Sequence, residues 1–341
     1  APEKQEMEML KYTYTGNYSD LWAQVDSLEN DGLYKSALEI VDVIFSKAQT
    51  DKNAPQVVKS VIFRMTYNSS LEEDDFINAL SELNSLSEKE RFPIKQLIHS
   101  VTAEVYWQYY QSNRWNFMNR TQTVNFENND VRTWDLKTIS EHVNKHFLLS
   151  LESADSSQHA DLNDFSDILE QTPTERKLRP TLYDFLAHRA IAFFSDAESE
   201  LVRPEAKFVI DDKDYFGSTS EFTAINPVSG TGQSNTFLVV KLYQDLTRFR
   251  IKDNNVTPLI DLEIKRLTFM REHSVSSDKD QLYLDGLKSL YGMHPDHEGS
   301  SEVQSYIASY YNERGNSYSL ETPDNRWDKK KALTICSIAI K

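Results

Sequence analysis

Residues that break helices are scarce in this chain of 341 residues, which has 9 glycines and 10 prolines. Both counts are well under the usual shares of roughly 7% and 5%. The phosphate-binding pattern G-x-x-x-x-G-K, the nucleophile pattern G-x-S-x-G and the dinucleotide pattern G-x-G-x-x-G are all absent. Glycine scarcity itself argues against a loop that cradles phosphate groups. The composition therefore favours a helix-rich globular protein.

Cysteine and long apolar runs are also lacking. The single cysteine, Cys336, has no internal disulfide partner and none of the spaced partners of a zinc site. Its neighbours in A-L-T-I-C-S-I-A-I have helical periodicity, so we expect a buried thiol on a helix. No run of about 20 apolar residues occurs, and the sequence therefore predicts no direct insertion into a membrane.

Positive charge is in deficit. The chain has 37 Lys and Arg against 53 Asp and Glu, a formal net charge of −16. Such a surface repels nucleic acid and anionic membrane faces, and we expect no nucleic-acid partner. What the chain has instead is aromatic residues, 17 Tyr, 17 Phe and 5 Trp. Because each aromatic side chain buries a large area, a core can form although only 39% of the residues are hydrophobic.

Apolar residues recur at helical spacing in segment after segment. Short polar breaks between the segments favour antiparallel helices stacked as hairpins. The predicted helices cover about 18–31, 34–50, 55–68, 72–87, 92–119, 131–153, 163–170, 180–196, 234–251, 255–273, 278–291, 299–313 and 326–341.

The first helical pair carries the spacing G-x-Y-x-x-A-L, which resembles the second half of a tetratricopeptide unit. We expect Gly32 to reverse the chain, Tyr34 to wedge between helices and Ala37 to permit close approach. The stretch D-D-F-I-N-A-L repeats this pattern less completely, with an aromatic residue, Phe76, followed by Ala79 and Leu80. These patterns predict an all-α fold, a tetratricopeptide-like α/α superhelix with one long irregular insertion.

Three segments divide this predicted continuous superhelix. Residues 1–202 form an N-terminal repeat region, 203–233 an irregular insertion, and 234–341 further repeats. The insertion has no helical period, and long excursions of this kind are functional or disordered. Its aromatic half is expected to pack on the helices, with a mobile glycine-rich tip. The aromatic residues are Phe208, Tyr215, Phe216 and Phe222.

The stretch K-L-R-P-T-L-Y-D-F-L-A-H-R-A-I-A-F-F-S-D places five polar residues within three helical turns: Arg179, Tyr183, Asp184, His188 and Arg189. A helix over 180–196 is apolar nearly all round, with Phe185 and Phe193 on one face, which is typical of a buried helix. Asp184 and His188 lie one turn apart and are expected to pair. No nucleophile lies beside them, so we interpret this segment as a structural hub helix without catalytic residues.

Other candidate ligands lack their partners. E-H-V-N-K-H places His142 and His146 at zinc-pair spacing, but the base position of H-E-x-x-H is valine, and a solvated helix face is expected. H-P-D-H-E at 294–298 is interpreted as a polar turn, and I-D-D-K-D at 210–214 lacks the glycine and terminal glutamate of a calcium loop. We therefore predict no catalytic, cofactor-binding or metal-binding residue, and a protein that is not an enzyme.

Four stretches together resemble the N-terminal helical region of large bacterial alpha-2-macroglobulin-like proteins. They are A-E-V-Y-W-Q-Y-Y-Q-S-N-R-W, D-V-R-T-W-D, H-F-L-L-S-L and R-K-L-R-P-T-L-Y-D-F-L-A-H-R-A. The resemblance implies the leading segment of an exported, periplasmic or outer-membrane-associated lipoprotein that traps proteases. Its implied partners are the macroglobulin domains downstream, with target proteases or envelope proteins as further partners. The thioester motif C-x-E-Q is absent, since Cys336 is followed by S-I-A.

The two ends of the sequence agree with this expectation: the chain starts on a polar run at Ala1 and stops within a predicted helix, as a piece of a longer protein would. A glycan-binding outer-membrane lipoprotein of the starch-utilisation type is the alternative, because such proteins are also helical and aromatic-rich. It calls for exposed tryptophans, whereas Trp22, Trp107, Trp115 and Trp134 lie in or beside predicted helices. An α/α-toroid glycosidase or lyase is a third hypothesis, but the paired carboxylates in glycine-rich loops that it needs are lacking.

Overall fold

A computed structural model describes residues 17–69, 73–118, 130–169, 172–201, 208–228, 234–321 and 323–339. The chain divides into two compact units, with the boundary between Arg203 and Pro204. The described part of the predicted insertion, residues 208–228, belongs to the second unit.

The first unit is built of consecutive helices joined mostly by short turns. Two 3₁₀ turns, Val131–Thr133 and Leu162–Ile168, interrupt the α-helices. The α-helices are α1 (Tyr18–Asn30), α2 (Tyr34–Asp51), α3 (Ala54–Ser69), α4 (Glu73–Lys89), α5 (Ile94–Ser112), α6 (Arg114–Met118), α7 (Leu136–Leu149), α8 (Ala154–His159), α9 (Pro173–Leu178) and α10 (Leu182–Ser195).

Helices α1 and α2 form the predicted tetratricopeptide-like pair. Two of the three residues of its sequence pattern, Gly32 and Ala37, have the predicted roles. Gly32 has a φ of 72°, the left-handed conformation that glycine adopts without steric cost. Ala37 is fully buried, which lets α2 approach its neighbours closely. Tyr34 does not wedge between helices as predicted: it is 39% exposed at the first residue of α2, with its ring 5.8 Å from that of Tyr67.

The hub helix is α10, one to two residues shorter at each end than predicted. It begins with a capping box in which Thr181 accepts the amide of Asp184 and the Asp184 carboxylate accepts the Thr181 amide at 2.9 Å. Phe193 and Phe194 are buried, whereas Phe185 is only half-buried and lies in a groove described below. The expectation of a buried helix is met, but Phe185 was wrongly assigned to the buried face.

The second unit also stacks its helices in succession. Two 3₁₀ turns, Lys213–Phe216 and Pro323–Asn325, accompany them. The α-helices are α11 (Thr219–Ala224), α12 (Asn235–Arg250), α13 (Thr257–His273), α14 (Lys279–Met293), α15 (Ser300–Asn316) and α16 (Asp328–Ala339).

The aromatic half of the predicted insertion is ordered and partly helical. Tyr215, Phe216 and Phe222 are buried against the second unit. The buried Arg266 of α13 ties this segment down, donating to the Tyr215 carbonyl at 2.6 Å and the Gly217 carbonyl at 2.9 Å. Most of the predicted glycine-rich tip, residues 229–233, lies outside the described residues.

The all-α class and the stacking of helices are confirmed, with no strand in the described ranges. No helix in those ranges is both long and apolar enough to cross a bilayer. The prediction of a buried thiol is wrong, since Cys336 is exposed. The buried stripe of α16 runs through Asp328 and Ala332, and Cys336, one turn after Ala332, lies at the edge of this stripe, where it stays exposed.

Candidate functional site

A histidine cluster lies between α5 and α7 of the first unit. The Nδ1 atoms of His99 and His146 are 3.0 Å apart, close enough for one ring to donate a hydrogen bond to the other. His142 stacks on Trp134 with ring centroids 4.0 Å apart, and the Tyr106 ring packs against both His142 and His146. His99 and His146 are buried, and His142 is half-buried.

Burial keeps these three rings neutral. Loss of hydration lowers the pKa of His99 and of His142 to about 4, and the nearby Lys145 acts in the same direction. The pKa of His146 falls to about 3, again chiefly because of burial and secondarily because the other two histidines would repel its charge. At neutral pH the cluster is an uncharged part of the core.

The cluster corrects the prediction that His142 and His146 lie on a solvated helix face. They face α5 because α7 packs that side of the helix on aromatic residues. Within the described ranges, no group of three or more His, Cys, Asp or Glu residues is arranged to hold a metal ion. The chemistry that the cluster offers is hydrogen bonding and proton uptake in acid.

A groove of about 830 Å³ opens on another side of α5, between α3, α4, α10 and the turn Leu162–Ile168. At one end Phe76 of α4 stacks on Tyr109 of α5, with centroids 5.3 Å apart and rings 10° from parallel. Aliphatic side chains form much of the wall: Val58, Ile62, Met65, Leu97, Val101 and Val105. The groove has a mixed apolar and polar lining, the usual character of a binding site.

One charged pair lies inside this groove. Arg189 of the hub helix donates from Nε to the Ser100 hydroxyl at 2.9 Å, and its Nη2 is 3.5 Å from the Glu104 carboxylate. That second distance is too long for a good hydrogen bond. Burial lowers the pKa of the Arg189 guanidinium, although Glu104 acts in the opposite direction. Arginine stays charged nonetheless, so the groove holds a cation that has lost part of its hydration.

The other polar groups singled out in the sequence have local structural roles. The Asp184 carboxylate caps its own helix, and His188 Nδ1 lies 2.8 Å from the backbone carbonyl of Asp184. His297 stands in the turn between α14 and α15, where its Nδ1 accepts the Gly299 amide at 3.0 Å. The Asp212 side chain caps the turn Lys213–Phe216.

No family model, no curated protein and no solved structure matches this chain.

Sequence reasoning missed the groove and the role of Arg189 in it. Arg189 was noted only as one of several polar residues in the hub segment, because a linear pattern does not say which helix faces another. A weak signal existed: V-T-A-E-V on α5 places Glu104 between two aliphatic residues, Val101 and Val105, on a helix otherwise rich in buried aromatics. A half-buried charge among aliphatic residues is typical of a groove wall.

Proposed function

We propose that this chain is a non-catalytic helical docking module at the N-terminus of an exported alpha-2-macroglobulin-like protein. In this proposal the protein traps proteases in the periplasm or at the outer membrane. The module holds a segment of the downstream macroglobulin domains or of an envelope protein. The aliphatic groove of the first unit carries the proposal, because stacked helices commonly bind partners on extended grooves of this kind.

Several observations favour docking over catalysis. The perturbed histidines, His99, His142 and His146, pack in the core among aromatic rings rather than in the groove. The charged side chains that line the groove, Arg189 and Glu104, are paired with each other. A catalytic site needs a nucleophile or general base within reach of a substrate atom. The groove offers shape, apolar surface and one ion pair instead, which are the means of recognition.

The first experiment tests the assignment to a larger protein. The encoding gene is sequenced beyond residue 341 and translated. Macroglobulin domains directly downstream would support the assignment, and a stop codon there would overturn it.

A second experiment tests docking at the groove. Val105 is half-buried in the groove wall, whereas Val43 on α2 is 52% exposed and lies outside the groove. The downstream domains are titrated into this chain and into the variants Val105→Glu and Val43→Glu, after thermal melts have shown that both variants fold. We expect Val105→Glu to weaken binding at least tenfold and Val43→Glu to leave it unchanged. Equal affinity of all three would rule out the groove.

Glycan binding is the second candidate, and one observation favours it. Trp115 on α6 is 77% exposed, two residues after Asn113 of the groove lining. The exposed Trp115 ring and the half-buried Phe76–Tyr109 stack are surfaces on which sugar rings pack. Titration with malto-oligosaccharides, followed by tryptophan fluorescence, tests this candidate. Saturable binding that Trp115→Ala removes would establish it, and no response at millimolar sugar would exclude it.

A further inference from the structure

The terminal nitrogens of Arg189 are only partly engaged, since Nη2 forms a long ion pair of 3.5 Å with the Glu104 carboxylate. Its Nε is engaged by Ser100, while neither Nη1 nor Nη2 donates a hydrogen bond to any residue in the described ranges. A guanidinium has five N–H donors in a fork that matches the two oxygens of a carboxylate. Burial has removed part of the hydration of this cation, and the long Glu104 contact replaces it incompletely. A second carboxylate, bound to the terminal nitrogens, would replace the rest of the lost hydration.

The length of the groove indicates where such a carboxylate lies in the ligand. The lining residues on α5 and at its C-cap run from Leu97 to Asn113, which is about 24 Å at 1.5 Å per residue. An extended peptide of about seven residues covers that length at roughly 3.3 Å per residue. Arg189 contacts α5 at Ser100 and Glu104, so lining residues continue on both sides of it. A carboxylate bound there belongs to the interior of a peptide and not to its C-terminus.

We propose that the groove of the first unit binds an extended peptide segment with an internal glutamate or aspartate between aliphatic residues, and that Arg189 receives this carboxylate. The aliphatic wall, including Ile62, Val101 and Val105, receives the flanking side chains. Glu104 limits the affinity, because its carboxylate competes for Arg189 and repels the ligand. This inference rests on the proposed docking function and names the class of segment that is docked.

The experiment measures charge preference with two short probes. They are acetylated and amidated heptapeptides of leucine, valine and alanine with a central glutamate in one and a central glutamine in the other. Fluorescence polarisation of labelled peptides gives the dissociation constants. We expect the unmodified protein to bind the glutamate peptide about tenfold more tightly, the effect of one hydrogen bond to a charged group. Equal affinity for the two peptides would overturn the inference but leave the docking function standing.

Two substitutions should act in opposite directions. Arg189→Gln should remove the preference for glutamate, and Glu104→Gln should strengthen binding of the glutamate peptide several-fold. The matched controls are Arg91→Gln and Glu88→Gln, which make the same charge changes at exposed sites of the first unit. If the controls shift the affinity as much as the test variants, the general charge of the protein and not Arg189 is responsible, and the inference fails.

The experiment does not depend on one variant that folds poorly. If Arg189→Gln melts far below the parent chain, Arg189→Lys replaces it, because lysine keeps the positive charge but lacks the paired N–H donors of the guanidinium group. Independently, weaker binding of the glutamate peptide by Glu104→Gln would contradict the inference. If neither heptapeptide binds at millimolar concentration, and Val105→Glu also leaves partner binding intact, the groove is not a docking site and the proposed function itself fails there.

Discussion

The Nδ1 atoms of His99 and His146 face each other at 3.0 Å across the contact between α5 and α7. Such a pair holds only one proton between the two nitrogens, so one ring donates and the other accepts. Double protonation would place two N–H groups against each other in a buried site. The contact is therefore stable when at least one ring is neutral, and it links the stability of the first unit to pH.

The first prediction is a loss of stability in acid before most carboxylates titrate. The folded pKa values of His99, His142 and His146 lie at about 4, 4 and 3, below the value of about 6.5 for an unfolded histidine. Between pH 4 and pH 6.5 the unfolded chain therefore binds more protons than the folded chain. Stability is complete above pH 6.5 and falls as the pH decreases toward 4. Each such histidine contributes a slope of about 1.4 kcal/mol per pH unit.

Urea unfolding at several pH values between 7.5 and 4.5 measures this effect. The double variant His99→Gln/His146→Gln should flatten the pH dependence of the free energy of unfolding. The matched control is His159→Gln, the same substitution at an exposed histidine outside the cluster. A double variant with the slope of the parent chain would show that the cluster does not control the acid sensitivity.

The second prediction separates the phenylalanines of the hub helix. Phe193 stacks on Phe147 with centroids 4.6 Å apart, and Phe194 is 3% exposed. Phe193→Ala or Phe194→Ala should lower the free energy of unfolding by about 3–5 kcal/mol, as buried aromatic truncations do. Phe185→Ala should cost clearly less, since that ring already borders the groove. Urea melts of the three variants measure the order of their free energies of unfolding. An equal loss for Phe185→Ala would contradict the placement of Phe185 at the edge of the groove.

The third prediction concerns Arg266 and the segment that it holds. Both charges of the Arg266–Glu263 pair are buried, so Arg266→Leu leaves a buried carboxylate unpaired and two carbonyls without a donor. The expected loss of stability is about 3–5 kcal/mol. Limited digestion with chymotrypsin should spare Tyr215 and Phe222 in the parent chain and cut there in the variant. Rapid cutting of the parent chain would show that this segment is not packed.

The fourth prediction concerns the thiol. Cys336 is exposed on α16, so a maleimide or disulfide reagent should modify it in the native protein almost as fast as in urea. The neighbouring Ala332 is buried and serves as the control site: Ala332→Cys, in a chain with Cys336→Ser, should react much more slowly. Slow modification of Cys336 in the native chain would show that other residues cover the thiol, and it would contradict the prediction.

Local patterns were sufficient for much of the fold. Helical periodicity and short polar breaks predicted the class and most of the helices, because an amphipathic stripe depends on neighbours three and four positions away. Gly32 was placed correctly because a left-handed turn favours glycine locally. Tyr34 was not, since whether an aromatic ring at a helix start is covered depends on a distant residue, here Tyr67.

The sequence by itself determined that this chain is helical, acidic, nearly free of cysteine and stacked in hairpins. Only the tertiary structure decided which side of each helix is covered. It buried His146 where a solvated face was predicted, exposed Cys336, and brought Arg189 of α10 to Glu104 of α5. The physical reason is that helical spacing fixes which residues share a face, whereas the partner of that face is chosen by packing between segments far apart in the chain.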